Sequence, residues 1–410
     1  MSLDNAVARR SVLLGAAGMA GAAATGLLSG ETALGARSST ATGHAPNRGD
    51  EVDRPLWRAA WKNGIVFGSS ISTWQLDPQY KHLFKQQAAM LTMQDDLLWY
   101  RLKPKPSSPL NFHPADRMVK IAERNGMLVM GAPGLVWDDG FGNGWGPNYS
   151  YSIIWGLKRR HAERLLYGIV RRAVHRYRGR MAAWIVANEV TDPGGKHGMR
   201  TDYPWYQTIG PGYLAESFHI ARQEDPHADL LINEFGFETI DKFGDKAAPR
   251  QRAFLQVVDK LLHDNVPVTG VGIQAHLLAP HFKERFHARH YLKFLHEIAD
   301  RGLNIHVTES DVTDDGLPPN PRIRDRGVAD VYRRYYDVML QVKAVKSVTT
   351  FGLSDRYTQL TEDFPRADGL PRRALPFNRR MEAKPAYHAL MHALANAPYR
   401  RPEFTPPRAR

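Results

Sequence analysis

Eight short apolar runs, each followed by a stretch of helical periodicity, constrain this chain more than any other feature. The runs are 65–71, 90–97, 128–136, 182–190, 230–237, 271–278, 305–312 and 348–354. Each ends in polar residues or glycine, as a buried strand does. Helical patterns follow at 79–89, 114–124, 153–177, 212–223, 250–263, 285–300, 326–342 and 385–395. Asn125-Gly126, Gly179 and Gly302 stand just beyond periodic residues, where a helix end favours a left-handed residue. Strict alternation implies a parallel sheet, and eight repeats imply a closed (β/α)8 TIM barrel as a single domain. The competitor is a doubly wound open sheet. It is weakened because no glycine-rich phosphate loop follows any run.

Composition narrows the partners. A chain of 410 residues that is 43% hydrophobic, with nine tryptophans, can bury a large core, and the absence of cysteine excludes disulfides and thiolate metal sites. The net charge of +13 is spread along the chain without a dense Lys/Arg block in the barrel region. A solvated basic surface is the simplest reading; an acidic polysaccharide would also suit it, and nucleic acid is not an expected partner. Residues 1–36 resemble a twin-arginine export signal: Arg9-Arg10 precede an uncharged Ala/Gly/Leu-rich stretch, with Ala33-Leu34-Gly35 available for cleavage. An uncleaved membrane anchor is the alternative, disfavoured by so much Gly and Ala. Residues 37–55 read as a linker, 56–397 as the barrel, and 398–410 as a basic, Pro-rich tail that frays. No segment after the signal is long and apolar enough to span a bilayer.

Two of the runs end in charge. In Asn304-Ile-His-Val-Thr-Glu-Ser-Asp-Val312, apolar Ile305 and Val307 alternate with His306 and Thr308 before Glu309 and Asp311. The run 182–190 is apolar until Asn188 and Glu189. A carboxylate ending a buried strand costs free energy unless it is paired or meets solvent at an opening. In a barrel such ends converge on one mouth, where catalytic groups sit. Either glutamate alone is most simply a cap or salt-bridge residue. As a pair on two similar strands they are the parts that glycosidic bond cleavage requires: one acid to protonate the leaving oxygen, one carboxylate to attack or stabilise the sugar carbon. His306, Glu309 and Asp311 could suggest a metal by residue type. Alternation would set His306 on the face opposite Glu309, so no metal and no other cofactor is expected.

Five motifs then occur in order: Trp184-Ile-Val-Ala-Asn-Glu189, Trp205-Tyr-Gln-Thr-Ile-Gly210, Gly270-Val-Gly-Ile-Gln-Ala-His276, Val307-Thr-Glu-Ser-Asp311 and Lys384-Pro-Ala-Tyr387. Together they make the chain resemble glycoside hydrolase family 10, the (β/α)8 endo-β-1,4-xylanases, over about residues 56–395. The resemblance implies a retaining hydrolase of polysaccharide or oligosaccharide; the export signal would carry it to the periplasm or outside the cell, and a monomer is expected. Glu189 would be its acid/base and Glu309 its nucleophile, with carboxyl groups roughly 5–5.5 Å apart. It also implies that Asn188 bonds a sugar 2-hydroxyl, that His276 bonds Glu309, and that Asp311 orients the imidazole. Such an arrangement drives the two glutamate pKa values apart.

The departures from the family pattern concern the sugars on the non-reducing side of the cut. Where the family's second strand reads Thr-Pro-Glu-Asn-x-Met-Lys-Trp, this chain has Gln94, Asp95 and Leu98 for the Glu, Asn and Lys. Its third-strand pattern keeps Trp137 but carries Ala132-Pro133 near the first His and Asp138 at the second. Phe351 and Gln359 replace two tryptophans after the last strand. Each lost hydrogen bond or stacking face is worth roughly 1 kcal/mol or more. Gln94, Asp95, Trp137, Asp138, Gln274, Phe351 and Gln359 are therefore the expected substrate contacts of a rebuilt pocket, suited to a substituted or hexose-containing β-glycan rather than plain linear xylan. A non-catalytic glycan-binding barrel is the rival from another class, but it has no need of both glutamates. An aldolase-like barrel would want a strand-end lysine, and none of the eight runs ends in one.

Overall fold

Eight parallel strands close on themselves: β1 Val66–Ile71, β2 Met90–Met93, β3 Leu128–Gly131, β4 Ala183–Asn188, β5 Asp229–Glu234, β6 Gly270–Ile273, β8 Asn304–Thr313 and β9 Val345–Thr350. Neighbours pair in chain order, β1 pairs β9, and pairing of β6 with β8 completes the ring. The extra strand β7, His276–Leu278, pairs with the far end of β8. The computed structural model describes residues 54–405 apart from 105–106, 132–134, 138–153, 155 and 240–245. The expected export signal, the linker up to residue 53, and Ala132, Pro133 and Asp138 lie outside the described residues. No described helix is long and apolar enough to cross a membrane.

Alternation along the strands builds two apolar layers. Val66, Met90, Met130, Ala183, Ile185 and Leu231 fill the barrel interior. Their neighbours Phe67, Leu91, Val129, Trp184 and Ile232 point outwards into the larger core beneath the helices. The helices start where chemistry allows. Pro321–Met339 opens five residues before the expected 326, because the Asn320 side chain accepts from the Arg322 and Ile323 N–H groups and Pro321 takes the first helical position. The helix expected at 285–300 is two, Ala279–Arg285 and Ala288–Ala299, separated by extended Phe286. The helix expected from 153 begins at Arg159.

Six strands end earlier than their apolar runs, β2, β3 and β6 among them by four or five residues. β2 stops at Met93 and β3 at Gly131, although Val136 makes an isolated bridge to Ala187. The run 271–278 breaks between β6 and β7 because Ala275 adopts φ +60°, which a strand cannot continue through. That break lies between Gln274 and His276.

The tail does not fray over its described length. Arg400 is 2% exposed, and its guanidinium donates to the carbonyls of Leu340, Val342 and Val345 at 2.7–3.0 Å, at and beyond the end of helix Pro321–Met339. Cations are favoured at a helix C-terminus. The Arg400 backbone crosses so close to Gly64 (φ +73°) that no side chain could stand there. Phe404 packs against the interior cluster and lies 6.0 Å from the His306 ring. The sequence showed only a Pro-rich basic composition and gave no sign of these carbonyl partners. A chain ending at Ala397 is expected to lose about 3 kcal/mol or more. Urea denaturation measures this, and an unchanged midpoint would mean that the tail does not contribute.

Candidate active site

A bulge in β4 aims the first glutamate. Ile185 packs inside the barrel, but Val186 and Ala187 both pack outside it, and the register with β5 shifts between Ile185 and Ala187. One residue is thus absorbed and the parity of the strand flips. Asn188, which strict alternation from Ile185 would turn outwards, instead reaches the side chain of Asn233 at the end of β5. Glu189 follows with φ +54°, an unusual conformation for a residue with a side chain.

A second shift on β8, between Val307 and Ser310, does the same for Glu309. Thr308 and Glu309 are consecutive, yet both bond the side chain of Asn233, at 2.7 and 2.8 Å. The expectation that His306 and Glu309 occupy opposite faces is therefore corrected. His306 also points into the barrel, but at the other end of the strand. Its Nδ1 is 2.9 Å from Ser347 Oγ, its Nε2 is 3.3 Å from Asp229 Oδ2, and its ring lies near Phe404. Depth, not face, separates it from Glu309.

The two glutamates belong to one bonded path. Gln274 Nε2 donates to Glu189 Oε1 at 3.0 Å and lies 3.3 Å from Asn188 Oδ1. Asn233 Nδ2 donates to Asn188 Oδ1 at 2.7 Å and to Glu309 Oε1 at 2.8 Å. A carboxylate can only accept, so Nδ2 of Asn233 must face Glu309; Oδ1 then accepts from Thr308, and every polar atom of this amide is used. Gly272 makes room for it, since a Cβ there would meet Asn233 Oδ1 at 2.1 Å. Both bonds to Asn188 fall on its oxygen, which leaves its N–H donors for a ligand.

The other Glu309 oxygen faces His276. Nε2 of that ring is 3.3 Å from Glu309 Oε2, and Nδ1 is 2.8 Å from Asp311 Oδ1. Burial alone would lower the His276 pKa, but the Asp311 and Glu309 carboxylates reverse this and hold it up to about 10. The ring is therefore an imidazolium at neutral pH, donating to both carboxylates. Phe351, just past β9, stands edge-on to it with ring centroids 5.5 Å apart.

The remaining expected contacts are placed unevenly. Gln94 is 3% exposed, and its Oε1 accepts from Ser70 and Gln75 at 3.2 Å each. Asp95 was expected to meet a sugar, but it is 4% exposed with both oxygens engaged: one by Ser72, the other by Tyr100 at 2.6 Å and Arg101 at 3.2 Å. It braces the loop after β2. Neighbouring Asp96, likewise enclosed, holds Thr73 and Arg101, and burial pushes its carboxyl pKa up. Leu98 is 7% exposed, Trp137 is half-buried just past the Val136 bridge, and Gln359 opens the short helix Leu360–Asp363.

Sequence reading missed Asn233 and Glu234. The signal was present: Ile232-Asn233-Glu234 ends its strand as Ala187-Asn188-Glu189 does. Glu234 is fully buried and accepts from the Thr191 N–H and hydroxyl, securing the chain just past Glu189. Burial raises its pKa to about 7, against the opposing pull of Arg250.

A parallel barrel whose strand ends gather two carboxylates into one amide-and-imidazolium network defines a class, the glycoside hydrolases. The chain belongs to glycosyl hydrolase family 10, whose sequence model matches residues 56–393. It is 27% identical over 332 residues to an endo-1,4-beta-xylanase B of Thermotoga neapolitana, spanning 80% of this chain and 87% of that protein. It is 28% identical over 331 residues to a beta-1,4-xylanase of Dictyoglomus thermophilum, spanning 77% and 86%. The crystal structure of xylanase 10B from Thermotoga maritima superposes with a TM-score of 0.72 at 26% identity, over 83% of this chain and 98% of that one. The chain is thus a glycoside hydrolase of the endo-1,4-beta-xylanase kind.

Proposed function

We propose that the chain is a retaining β-1,4-glycanase in which Glu309 is the nucleophile and Glu189 the acid/base. Glu309 attacks the anomeric carbon and forms a glycosyl ester as the glycosidic C–O bond breaks. Glu189 gives its proton to the departing oxygen. Glu189 then takes a proton from the water that attacks the same carbon, and the ester bond to Glu309 breaks. The observation that carries this reading is the path Glu189–Gln274–Asn188–Asn233–Glu309, which fixes both carboxyls through amides whose orientation the hydrogen bonds dictate. His276 and Asn233 each donate to one Glu309 oxygen, and Asn188 keeps N–H donors for the sugar 2-hydroxyl.

The substrate of this site is a β-1,4-glycan that is substituted or contains hexose. Phe351 is smaller than an indole beside His276, and Leu98 carries no charge for a sugar hydroxyl to meet. Trp74 adds a different surface. It is 53% exposed on the turn after β1 and edge-on to Tyr357, with centroids 5.8 Å apart, an indole free to stack on a sugar ring. Unsubstituted xylo-oligosaccharides are expected to be cleaved at least about tenfold less efficiently than the best substituted or hexose-containing substrate, since one mismatched polar contact suffices for that ratio. Comparing kcat/KM across a glycan panel decides it, and vigorous hydrolysis of plain xylo-oligosaccharides would defeat the pocket reading.

We also propose export through a twin-arginine-type signal, supported by Arg9-Arg10 and the Ala/Gly-rich stretch that follows. Replacing both arginines with lysine is expected to hold the protein in the cytoplasm. Fractionation of expressing bacteria reads the result, and normal export of the variant would reject the assignment.

A further inference from the structure

The helix His113–Arg124 carries four basic residues on one face. His113, Arg117, Lys120 and Arg124 are spaced four, three and four apart, a stripe roughly 16 Å long. By itself such a stripe is an ordinary solvated face. Here it lines a concave space of about 470 Å³ in the outer helical layer. Lys81 of helix Pro78–Gln87 lines the same space, and Leu76 and Ile121 supply apolar lining.

The acids nearby do not cancel this charge. Among the described residues Asp116 is the one carboxylate lining the cleft, and Arg176 takes both its oxygens at 2.8 and 2.5 Å while Tyr177 adds a third bond. Glu123, on the same helix, is paired with Arg180 at 2.7 Å. Asp77 caps helix Pro78–Gln87 and bonds Tyr357. Lys81, Arg117 and Arg124 therefore face the cleft without a salt-bridged acid among the described residues, and Lys120 acts only electrostatically on Asp116, whose oxygens Arg176 already holds. Cations gathered in a concavity with low-dielectric walls focus a positive potential and draw in an anion.

We infer that this cleft is a second glycan-binding site, which holds an acidic, uronate-bearing stretch of the same polysaccharide that the barrel mouth cleaves. A uronate-bearing glycan offers what the cleft lacks: carboxylates for the basic side chains, and sugar rings whose C–H faces lie against Leu76 and Ile121. The ligand's being a glycan rests on the proposed glycanase function; its being anionic rests on the cleft alone.

The test is affinity gel electrophoresis of the full chain carrying Glu309→Gln, so that the gel polymer is not digested. One gel contains glucuronoxylan, and a second contains the same polymer after its uronic acids are reduced to neutral sugars. The expected result is retention about tenfold stronger on the acidic polymer, weakening as salt rises. The change Lys81→Glu, Arg117→Glu, Lys120→Glu and Arg124→Glu together should abolish that difference. Reversing the exposed Arg160, Lys283, Arg285 and Lys293 instead should preserve it. The inference is overturned if the cleft variant keeps the difference, if the control loses it equally, or if neither polymer retains the parent protein. Hydrolysis of short neutral oligosaccharides by the cleft variant with Glu309 intact reads the mouth separately. Loss of cleavage in every protein would count against the catalytic proposal and leave the binding result standing.

Discussion

Glu309→Ala is expected to lower kcat by about 10⁴- to 10⁶-fold on whichever β-glycan proves best, the range found when a covalent nucleophile is removed. The fold should survive, because the groups around Glu309 retain other partners: Asn233 keeps Asn188 and Thr308, and His276 keeps Asp311. Azide, small enough to occupy the vacated space, should restore part of the activity and give a glycosyl azide of inverted configuration. Glu189→Ala should differ in kind. A leaving group that needs no proton, such as a dinitrophenolate, should still form the intermediate, and azide should then yield the retained product. Steady-state kinetics with natural and activated substrates, together with product NMR, separates the two roles. Equal losses on both substrate types, without azide rescue, would remove the distinction between nucleophile and acid.

Asp314→Ala is expected to cost about 3–5 kcal/mol of stability, the penalty for breaking a buried ionic cluster by removing one partner. Asp314 directly follows β8 and is wholly buried. Arg324 meets it at 2.6 Å and Arg372 at 3.3 Å, while Arg366 lies 3.7 Å from its carboxylate and donates to its backbone carbonyl. These three guanidiniums are themselves nearly buried; Arg366 keeps Asp368 and Arg372 keeps Asp315, but Arg324 loses its ion pair while it stays in the core. Arg366 and Arg372 belong to the segment after β9 that also contains Gln359, and Lys384–Asp355 fastens that segment a second time at 2.9 Å. Loosening it should raise KM before it changes kcat. Chemical denaturation and substrate titration of the variant measure both effects. A change below about 1 kcal/mol would mean that the cluster contributes little beyond an exposed pair.

The barrel was legible because its signal is repeated. Eight apolar runs separated by helical periodicity leave few alternatives, and structure shifted their ends by only a few residues. The candidate site was legible where a carboxyl coincides with a strand end, at Glu189 and Glu309. What could not be read was parity. Bulges at Val186–Ala187 and around Thr308–Glu309 flip which face a side chain occupies, and nothing in the local composition marks them. Alternation consequently placed His306 on the wrong face. Asn233 was missed for a related reason: its role depends on three strands meeting at one amide, a relation that no single run displays. Asp95 was read as a sugar contact because Ser72, Tyr100 and Arg101 come from turns whose proximity is tertiary. The tail was misread because composition reports what a segment resembles, not which carbonyls await its arginine.

The central claim is double displacement through Glu309 with Glu189 as acid/base, and the anomer released first tests it most directly. Proton NMR should follow hydrolysis of a β-linked substrate within the first minutes, before mutarotation mixes the products. Two successive inversions at one carbon predict that the β-anomer accumulates first and relaxes towards the equilibrium mixture. Initial accumulation of the α-anomer would mean that a water attacks directly across a wider gap between the carboxyls, and would contradict the account.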